Sequence, residues 1–223
     1  MPPKPRQNTA PLSQDTIQKK LPLEKRDKPI VKVSIAGIGG VGKTTLCQRA
    51  MGRILDDYFS NYKVTIGVQF FTHNVPTDKG EVVLSVWDLA GQTQFQQIVN
   101  RFLIGSSGII LAYDSTDINS YFSLHHTWIP LIEEFCEPDT PIVLVSTKND
   151  LDKDKEVDPE LVRNFINSKE EHNQNIIGFL ETSSKSNINV LETFEVLVNK
   201  IIEHEYSEHL SKSNQKKIKG TTN

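Results

Sequence analysis

The sequence has little cysteine and no long apolar run. Its 223 residues include two cysteines, Cys47 and Cys136, which fits a reducing cytosol better than a secreted domain held by disulfides. The longest strongly apolar stretch, residues 102–113, is well short of the roughly 20 residues that a membrane-spanning helix needs. No apolar core of a secretory signal follows Met1, and Pro2 stands where myristoylation requires glycine. We therefore expect a cytoplasmic protein.

Positive charge is scarce in the middle of the chain. The whole chain carries −3, but residues 1–29 carry +4 and residues 207–223 carry +3, which leaves −10 for residues 30–206. Because a DNA-binding protein needs clustered positive charge against the phosphates, this balance argues against nucleic acid as a partner. The first segment also holds six of the eleven prolines. We expect residues 1–29 and the Lys-rich residues 207–223 to be flexible extensions of one domain at 30–206.

Short β-branched runs alternate with helical patterns, which predicts an α/β fold. The predicted strands cover residues 30–36, 64–74, 82–88, 108–113, 142–147 and 176–181. The predicted helices cover about 43–55, 93–104, 118–136, 159–172 and 190–206. Residues 76–80 are too few for a crossover helix, so the second and third strands should pair antiparallel at the edge of the sheet. The sequence predicts a six-stranded, mostly parallel sheet with helices on both faces and ligands at the carboxyl ends of its strands.

A phosphate-binding loop follows the first predicted strand. Residues 37–44 read GIGGVGKT and match G-x-x-x-x-G-K-[ST], with a strand before the pattern and a helix after it. Converging amides and the helix N-terminus bind phosphate, Lys43 reaches the β- and γ-phosphates, and the Thr44 hydroxyl can ligate Mg²⁺. The alternative is a glycine-rich turn that caps a helix. The predicted phosphate-site residues are Gly37, Gly39, Gly40, Val41, Gly42, Lys43, Thr44 and Thr45.

A second phosphate-facing motif ends the third predicted strand. Residues 87–92 read WDLAGQ. Asp88 at a strand end can hold Mg²⁺ through water, and the amide of Gly91 can approach a γ-phosphate. Gln92 could then orient the water that attacks this phosphate. The motif therefore indicates hydrolysis of a nucleoside triphosphate.

Two motifs at the last strand ends predict the base. Residues 147–150 read TKND, and residues 181–185 read ETSSK. The Asp150 carboxylate accepts hydrogen bonds from the N1–H and amino groups of guanine and repels the bare ring nitrogen of adenine. Lys148 can lie along the base plane, and the Ser184 amide can donate to the guanine carbonyl. The predicted base-site residues are Thr147, Lys148, Asp150, Ser183, Ser184 and Lys185.

These motifs, in this order, resemble the Ras superfamily of small GTPases, and within it the Rab branch, over residues 30–206. A further segment at 58–68, YFSNYKVTIGV, is similar to the first switch of Rab proteins. The resemblance implies the P-loop NTPase fold of a Ras-like G domain, with GTP, GDP and Mg²⁺ as ligands. It also implies that Thr65 binds Mg²⁺ and the γ-phosphate, that Tyr58 packs edge-on against guanine, and that Tyr62 lies over the phosphates.

The resemblance also implies partners. Phe70, Trp87 and Phe102 match the aromatic triad through which Rab switch surfaces meet effectors, and a core cluster is the alternative reading of these three residues. An exchange factor and a GTPase-activating protein are implied as regulators, together with a role in membrane trafficking. We expect a monomer.

The sequence departs from the Rab pattern in three respects, which are the motif at 147–150, the motif that begins at Trp87, and the C-terminal prenylation signal. Thr147 stands where Rab proteins usually have asparagine, Leu89 replaces the usual threonine, and Thr-Gln at 93–94 replaces Glu-Arg. No cysteine follows Cys136, so the prenylation signal of Rab and Ras proteins is absent and we expect no stable lipid anchor. Membrane contact would then be at most weak and electrostatic, through the two basic extensions. The alternative is that both extensions are solvated spacers.

The predicted function is a GTP-binding switch. GTP tethers Thr65 and Gly91 through its γ-phosphate, and loss of that phosphate releases them. The predicted catalytic residues are Gln92, Lys43, Thr65 and Gly91, and Thr44, Thr65 and Asp88 are the predicted metal ligands. No motif supplies an arginine in cis, so turnover should be slow, on the order of 10⁻⁴ to 10⁻² per second. A scaffold that binds GTP and hardly hydrolyses it, or an ATP-using phosphoryl-transfer enzyme, are the alternatives.

Overall fold

The computed structural model describes residues 28–53, 64–92, 96–168 and 175–219. At residues 96–98 and 206–219 it describes the backbone alone. Several predictions fall outside the described residues: the extension over 1–27, the tail over 220–223, the roles of Tyr58 and Tyr62, and the helix positions 54–55, 93–95 and 169–172. They stay predictions.

Six strands form one sheet. They are β1 (Ile30–Ala36), β2 (Val68–Thr77), β3 (Gly80–Leu89), β4 (Gly108–Asp114), β5 (Ile142–Thr147) and β6 (Ile176–Glu181). Their order across the sheet is β2-β3-β1-β4-β5-β6. Only β2 and β3 pair antiparallel, and each of the other four neighbouring pairs is parallel. The mostly parallel sheet with one antiparallel edge strand is thus confirmed.

The β2–β3 hairpin is tighter than predicted. Its ladder runs without interruption from the Val68–Leu89 pair to the Thr77–Gly80 pair, which leaves a two-residue turn at 78–79. The Thr77 hydroxyl donates to Gly80 O at 2.5 Å and accepts from Lys79 N at 3.2 Å, which closes the turn. The predicted connection at 76–80 was too long because its outer residues pair within the ladder. β2 also begins four residues later than predicted.

Helices lie in the connections between the strands and after the last one. They are α1 (Lys43–Ala50), α2 (Gln96–Leu103), α3 (Ile118–Ser123), α4 (Ile129–Phe135), α5 (Pro159–Asn167) and α6 (Val190–Lys219). The sequence predicted α3 and α4 as one helix, but a π-helical turn at Leu124–Trp128 joins them. There the Ile129 amide donates to Leu124 O. The wider turn stands directly before Pro130, whose nitrogen has no hydrogen to donate and whose ring crowds a regular helix.

The last helix is longer than predicted. α6 continues to Lys219, thirteen residues past its predicted end at 206, so the backbone is helical over 207–219 where the sequence predicted a flexible tail. No glycine or proline interrupts residues 207–219, so nothing in the segment breaks a helical backbone. Within the described residues, no helix combines the length and apolar character needed to cross a lipid bilayer.

The core fills both faces of the sheet. On one face α1 and α6 contribute buried side chains that include Leu46, Phe194 and Leu197. On the other face α2, the π-helical turn, α4 and α5 contribute residues such as Leu103 and Trp128. β4 and β5 are buried along their whole length, which explains their continuous apolar runs. Helices on both faces were predicted and are confirmed.

Candidate nucleotide site

The phosphate loop connects β1 to α1 at the carboxyl edge of the sheet. Gly37 has φ of +140°, and a Cβ there would lie 2.2 Å from Ala112 O on β4, so only glycine fits. α1 begins at Lys43 directly after the loop. Because the first amides of a helix have no partner within the helix, this end is suited to bind an anion. The loop therefore has the close backbone approach and the free helix end that a phosphate site needs.

The Lys43 ammonium lies inside this loop. Its side chain is buried, and Nζ donates to Gly37 O at 2.7 Å and to Ile38 O at 2.8 Å. Burial lowers the pKa of Lys43 to about 8, and the nearby Asp88 carboxylate opposes that shift. Because an adjacent anion favours the charged form, a phosphate beside Lys43 would raise its pKa again.

The three predicted metal ligands come together. They originate at the start of α1 (Thr44), in the segment before β2 (Thr65) and near the end of β3 (Asp88). The Thr44 hydroxyl donates to Asp88 Oδ2 at 2.5 Å and lies 2.8 Å from the Thr65 hydroxyl. Burial raises the pKa of Asp88, against the opposing effects of the Thr44 hydrogen bond and the Lys43 charge.

This cluster fits a magnesium ion. Asp88 Oδ1 is buried and has no hydrogen-bond partner among the described residues. A buried carboxylate oxygen without a donor is costly unless a cation satisfies it. Two hydroxyls and a carboxylate are also the hard oxygen donors that Mg²⁺ prefers. Thr44, Thr65 and Asp88 are therefore the residues that would hold the ion.

The second phosphate-facing motif packs against the phosphate loop. Gly39 N donates to Gly91 O at 3.0 Å. A Cβ at Gly91 would lie 2.2 Å from Ile38 C, so the two backbones are as close as they can be. Gln92 stands next to Gly39, since a Cβ at Gly39 would lie 3.5 Å from Gln92 Cγ.

One cleft collects the four predicted catalytic residues and most of the predicted phosphate-site residues, with Gly37 and Val41 outside its lining. Lys43, Thr65, Gly91 and Gln92, the four predicted catalytic residues, all line it, and so does Thr45. No arginine lines it among the described residues.

Thr147 joins the base motif to the phosphate loop. Its buried hydroxyl lies 2.6 Å from Val41 O and 3.0 Å from Tyr113 O, within hydrogen-bond distance of both. A hydroxyl has one hydrogen to donate, so it serves one of these carbonyls at a time. The threonine that replaces the usual asparagine therefore bridges β5 to the loop between β1 and α1.

Asp150 is held by its neighbour on the last loop. The Ser183 hydroxyl donates to Asp150 Oδ1 at 2.6 Å and accepts from Ser186 N at 3.0 Å. The backbone N–H of Asn149 donates to Thr182 O at 3.1 Å and connects the two loops. Ser184 is half-buried and Lys185 is exposed on the same loop. The predicted base-site residues are therefore neighbours at one edge of the sheet.

Asp114 is a member of this region that the motifs did not reveal. Lys148 has φ of +58°, and its ammonium forms an ion pair with Asp114 at the end of β4. Thr116 N and the Thr116 hydroxyl donate to the other carboxylate oxygen of Asp114, at 3.0 and 2.8 Å. The position of Asp114 at a strand end is a signal that could have found it.

The three aromatic residues predicted as a partner surface form one cluster. The ring centroids of Phe70 and Trp87 lie 4.7 Å apart, and those of Trp87 and Phe102 lie 5.7 Å apart. Lys32 Nζ lies 4.0 Å from the Trp87 ring. Phe70 is 57% exposed, whereas Trp87 and Phe102 are half-buried against the core. The cluster thus belongs partly to the core and partly to the surface.

The fold and the site define an α/β nucleotide-binding domain with a phosphate loop, and comparison with known proteins gives its family. The family model of the Ras family matches residues 32–203, so the chain belongs to the Ras family. It is a Rab-like small GTPase, and therefore a GTP-binding protein.

Three relatives illustrate this similarity. The chain is 34% identical to the Ras-related protein RabF1 of Dictyostelium discoideum over 176 residues, which are 79% of this chain and 86% of the relative. It is 35% identical to the Ras-related protein RABD2b of Arabidopsis thaliana over 165 residues, 74% and 77% of the two chains. It is 33% identical to the GTP-binding protein YPT1 of Saccharomyces cerevisiae over 195 residues, 87% and 90% of the two chains.

Proposed function

We propose that this chain is a GTP-operated switch that hydrolyses GTP slowly. The observation that carries the proposal is the contact among Thr44, Thr65 and Asp88 in the cleft that Gly91 and Gln92 also line. Thr65 precedes β2 and Gly91 follows β3, so both flanking segments must stand against the phosphate loop to complete the cleft. Contacts from Thr65 and Gly91 to a γ-phosphate would hold both segments, and loss of that phosphate would release them.

The proposed reaction is an in-line attack of water on the γ-phosphorus of GTP. The bond to the bridging oxygen breaks, and GDP and phosphate leave. Gln92 orients the water, and the Lys43 ammonium stabilises the negative charge that develops on the phosphate oxygens. A magnesium ion at Thr44, Thr65 and Asp88 would neutralise further phosphate charge.

The rate should be low because no arginine lines the cleft among the described residues. We expect on the order of 10⁻⁴ to 10⁻² turnovers per second without a partner that donates one. Gln92→Leu should lower single-turnover hydrolysis at least about tenfold and leave GTP affinity nearly unchanged. Asn199→Leu is the matched control, because it also replaces a side-chain amide by leucine, at an exposed position of α6 outside the cleft lining.

Each outcome of this experiment has a meaning. Wild-type protein that binds GTP without measurable turnover would replace the proposed enzyme by a nucleotide-dependent scaffold. A Gln92→Leu variant as fast as wild type would remove Gln92 from the mechanism. Equal losses in Gln92→Leu and Asn199→Leu would also contradict its role.

We further propose that effectors and regulators dock on the cluster of Phe70, Trp87 and Phe102, in a Rab-like role in membrane traffic. The exposure of Phe70 supports this surface, and so does its place in the sheet. Phe70 pairs with Trp87 across the hairpin, and Trp87 directly precedes Asp88. The aromatic cluster is thus close in sequence to both segments that a γ-phosphate would hold. Four residues separate Phe70 from Thr65, and three separate Trp87 from Gly91. The Rab and Ypt relatives support the trafficking role.

The two tryptophans make the switch measurable. Trp128→Phe leaves Trp87 as the only tryptophan, and we expect its fluorescence to differ between GDP and a non-hydrolysable GTP analogue. In Trp87→Phe the fully buried Trp128 is the only reporter, and its emission should be the same with both nucleotides. Identical Trp87 spectra would show that the aromatic cluster does not respond to the γ-phosphate.

A further inference from the structure

Asp114 stands at the edge of the sheet where the base motifs meet. It is the last residue of β4 and pairs in register with Thr147, the residue that precedes Lys148. Its side chain is only 8% exposed, and both carboxylate oxygens are occupied. Oδ2 pairs with the Lys148 ammonium, and Oδ1 accepts two hydrogen bonds from Thr116.

The turn after β4 fixes the direction of this carboxylate. Thr116 holds Oδ1 through its amide at 3.0 Å and its hydroxyl at 2.8 Å. The main chain of Asp114 is held as well, because its amide donates to the Ser120 hydroxyl at 2.9 Å and its carbonyl accepts from Asp117 N at 3.1 Å. Oδ2 is therefore presented to Lys148 from a rigid support.

Lys148 depends on such a support. It begins from a left-handed backbone, and its long side chain is 38% exposed, so many rotamers are open to it. An ion pair this close to solvent adds little to the stability of the fold. The ion pair instead sets the orientation of the Lys148 side chain, because a fixed carboxylate selects one of the available rotamers.

We propose that Asp114 is a positioning residue for the guanine nucleotide. By holding the Lys148 ammonium at the end of β4, it sets the methylene chain of the lysine where it can lie along the base that Asp150 selects. The inference rests on the proposed function, since it takes guanine as the ligand of this edge. Without Asp114 the nucleotide must order the lysine itself, so it dissociates faster.

The test is the release rate of fluorescent GDP from the full chain with Asp114→Asn. This variant keeps the shape of the side chain and an oxygen for Thr116 but removes the charge that faces Lys148. We expect release to become about tenfold faster, because the nucleotide must then order the long Lys148 side chain itself. Asp117→Asn is the matched control, because it removes the same charge three residues further along the chain. The Asp117 side chain instead accepts a hydrogen bond from Asn119 N at the start of α3. Its release rate should stay within about twofold of wild type.

A double-mutant cycle separates positioning from a structural role. Lys148→Met keeps the length and apolar character of the side chain and lacks the ammonium. In this background Asp114→Asn should change release by less than about twofold, because the pair is already gone. The tenfold effect in the natural background should also persist when EDTA removes magnesium, since Asp114 acts on the base and not on the phosphates.

Three results would overturn the inference. The first is GDP release from Asp114→Asn at the wild-type rate. The second is an equal acceleration by Asp114→Asn with and without the Lys148 ammonium. The third is an acceleration by Asp114→Asn that vanishes in EDTA. Wild-type protein that does not bind GDP at all would reject the proposed function instead. The two failures are thus distinguishable.

Discussion

Gly39 and Gly91 meet backbone to backbone, with Gly39 N donating to Gly91 O at 3.0 Å. This contact places the loop after β3 directly on the phosphate loop. A Cβ at Gly91 would lie 2.2 Å from Ile38 C and 2.3 Å from Gly39 N, and main-chain atoms cannot yield as a flexible side chain can. The two motifs therefore pack as one unit, and in the proposed switch the amide of Gly91 would reach a γ-phosphate only while they touch.

Gly91→Ala should separate the loop after β3 from the phosphate loop. The methyl group forces the loop after β3 away from the phosphate loop, so we expect GTP affinity to fall at least about tenfold and GDP affinity to change less. Competition binding of the two nucleotides measures the ratio. Gly178→Ala on β6 is the control, because a Cβ there would meet Val196 Cγ1 at an ordinary 3.7 Å. An unchanged GTP-to-GDP ratio in Gly91→Ala would contradict the role of this contact.

Asp150→Asn should exchange guanine for xanthine. Ser183 donates to Oδ1, so the other end of the asparagine side chain, its amide, is left to face the base. An amide that donates suits the extra carbonyl of xanthine and conflicts with the amino group of guanine. We expect GTP affinity to fall at least about a hundredfold and xanthosine triphosphate affinity to rise, measured by direct titration. Asp152→Asn removes an exposed charge paired with Lys155 at 2.9 Å and should leave both affinities unchanged.

Asp88→Asn should weaken the magnesium dependence of nucleotide binding. Asparagine has no charge, and its amide hydrogens repel a cation where Asp88 Oδ1 is buried without a donor. We expect the magnesium concentration that retains GDP to rise at least about tenfold. The measurement is GDP release across a magnesium titration, with Asp78→Asn at the hairpin turn as the control. The same midpoint in Asp88→Asn and wild type would place the metal elsewhere.

Local patterns were predictable because strand, loop and helix follow one another within a few residues. The phosphate loop needs only its glycines, Lys43 and the hydroxyl of Thr44, and the parallel sheet brings the ends of its strands to one edge. Asp88 and Asp150 could be placed there because one ends a predicted strand and the other follows a predicted strand within three residues. The chemistry of guanine recognition likewise follows from the acceptor-only carboxylate of Asp150.

The contacts between distant segments were not predictable. The Thr147 hydroxyl reaches Val41 O across 106 residues of sequence, and the Lys148 ion pair with Asp114 spans 34 residues. Such pairs depend on strand register, which a single sequence does not state. The end of α6 was missed for a different reason. The polar residues 207–219 favour neither the continuation nor the end of a helix strongly, and the helical backbone continues to Lys219.

The thiol of Cys136 should react slowly at neutral pH. It lies after α4, where Sγ donates to Leu103 O at 3.6 Å, and burial raises its pKa to about 11 although the nearby Lys32 ammonium opposes the shift. Since only the thiolate is alkylated, the reactive fraction at pH 8 is about 10⁻³, against about a quarter for a thiol of pKa near 8.5. Labelling with iodoacetamide should therefore be at least about a hundredfold slower than in urea and rise about tenfold per pH unit up to about pH 10. Cys136→Ala should abolish this slow labelling, because Cys47 is fully buried. Labelling of native Cys136 at the rate of the unfolded chain would show that its thiol is not protected.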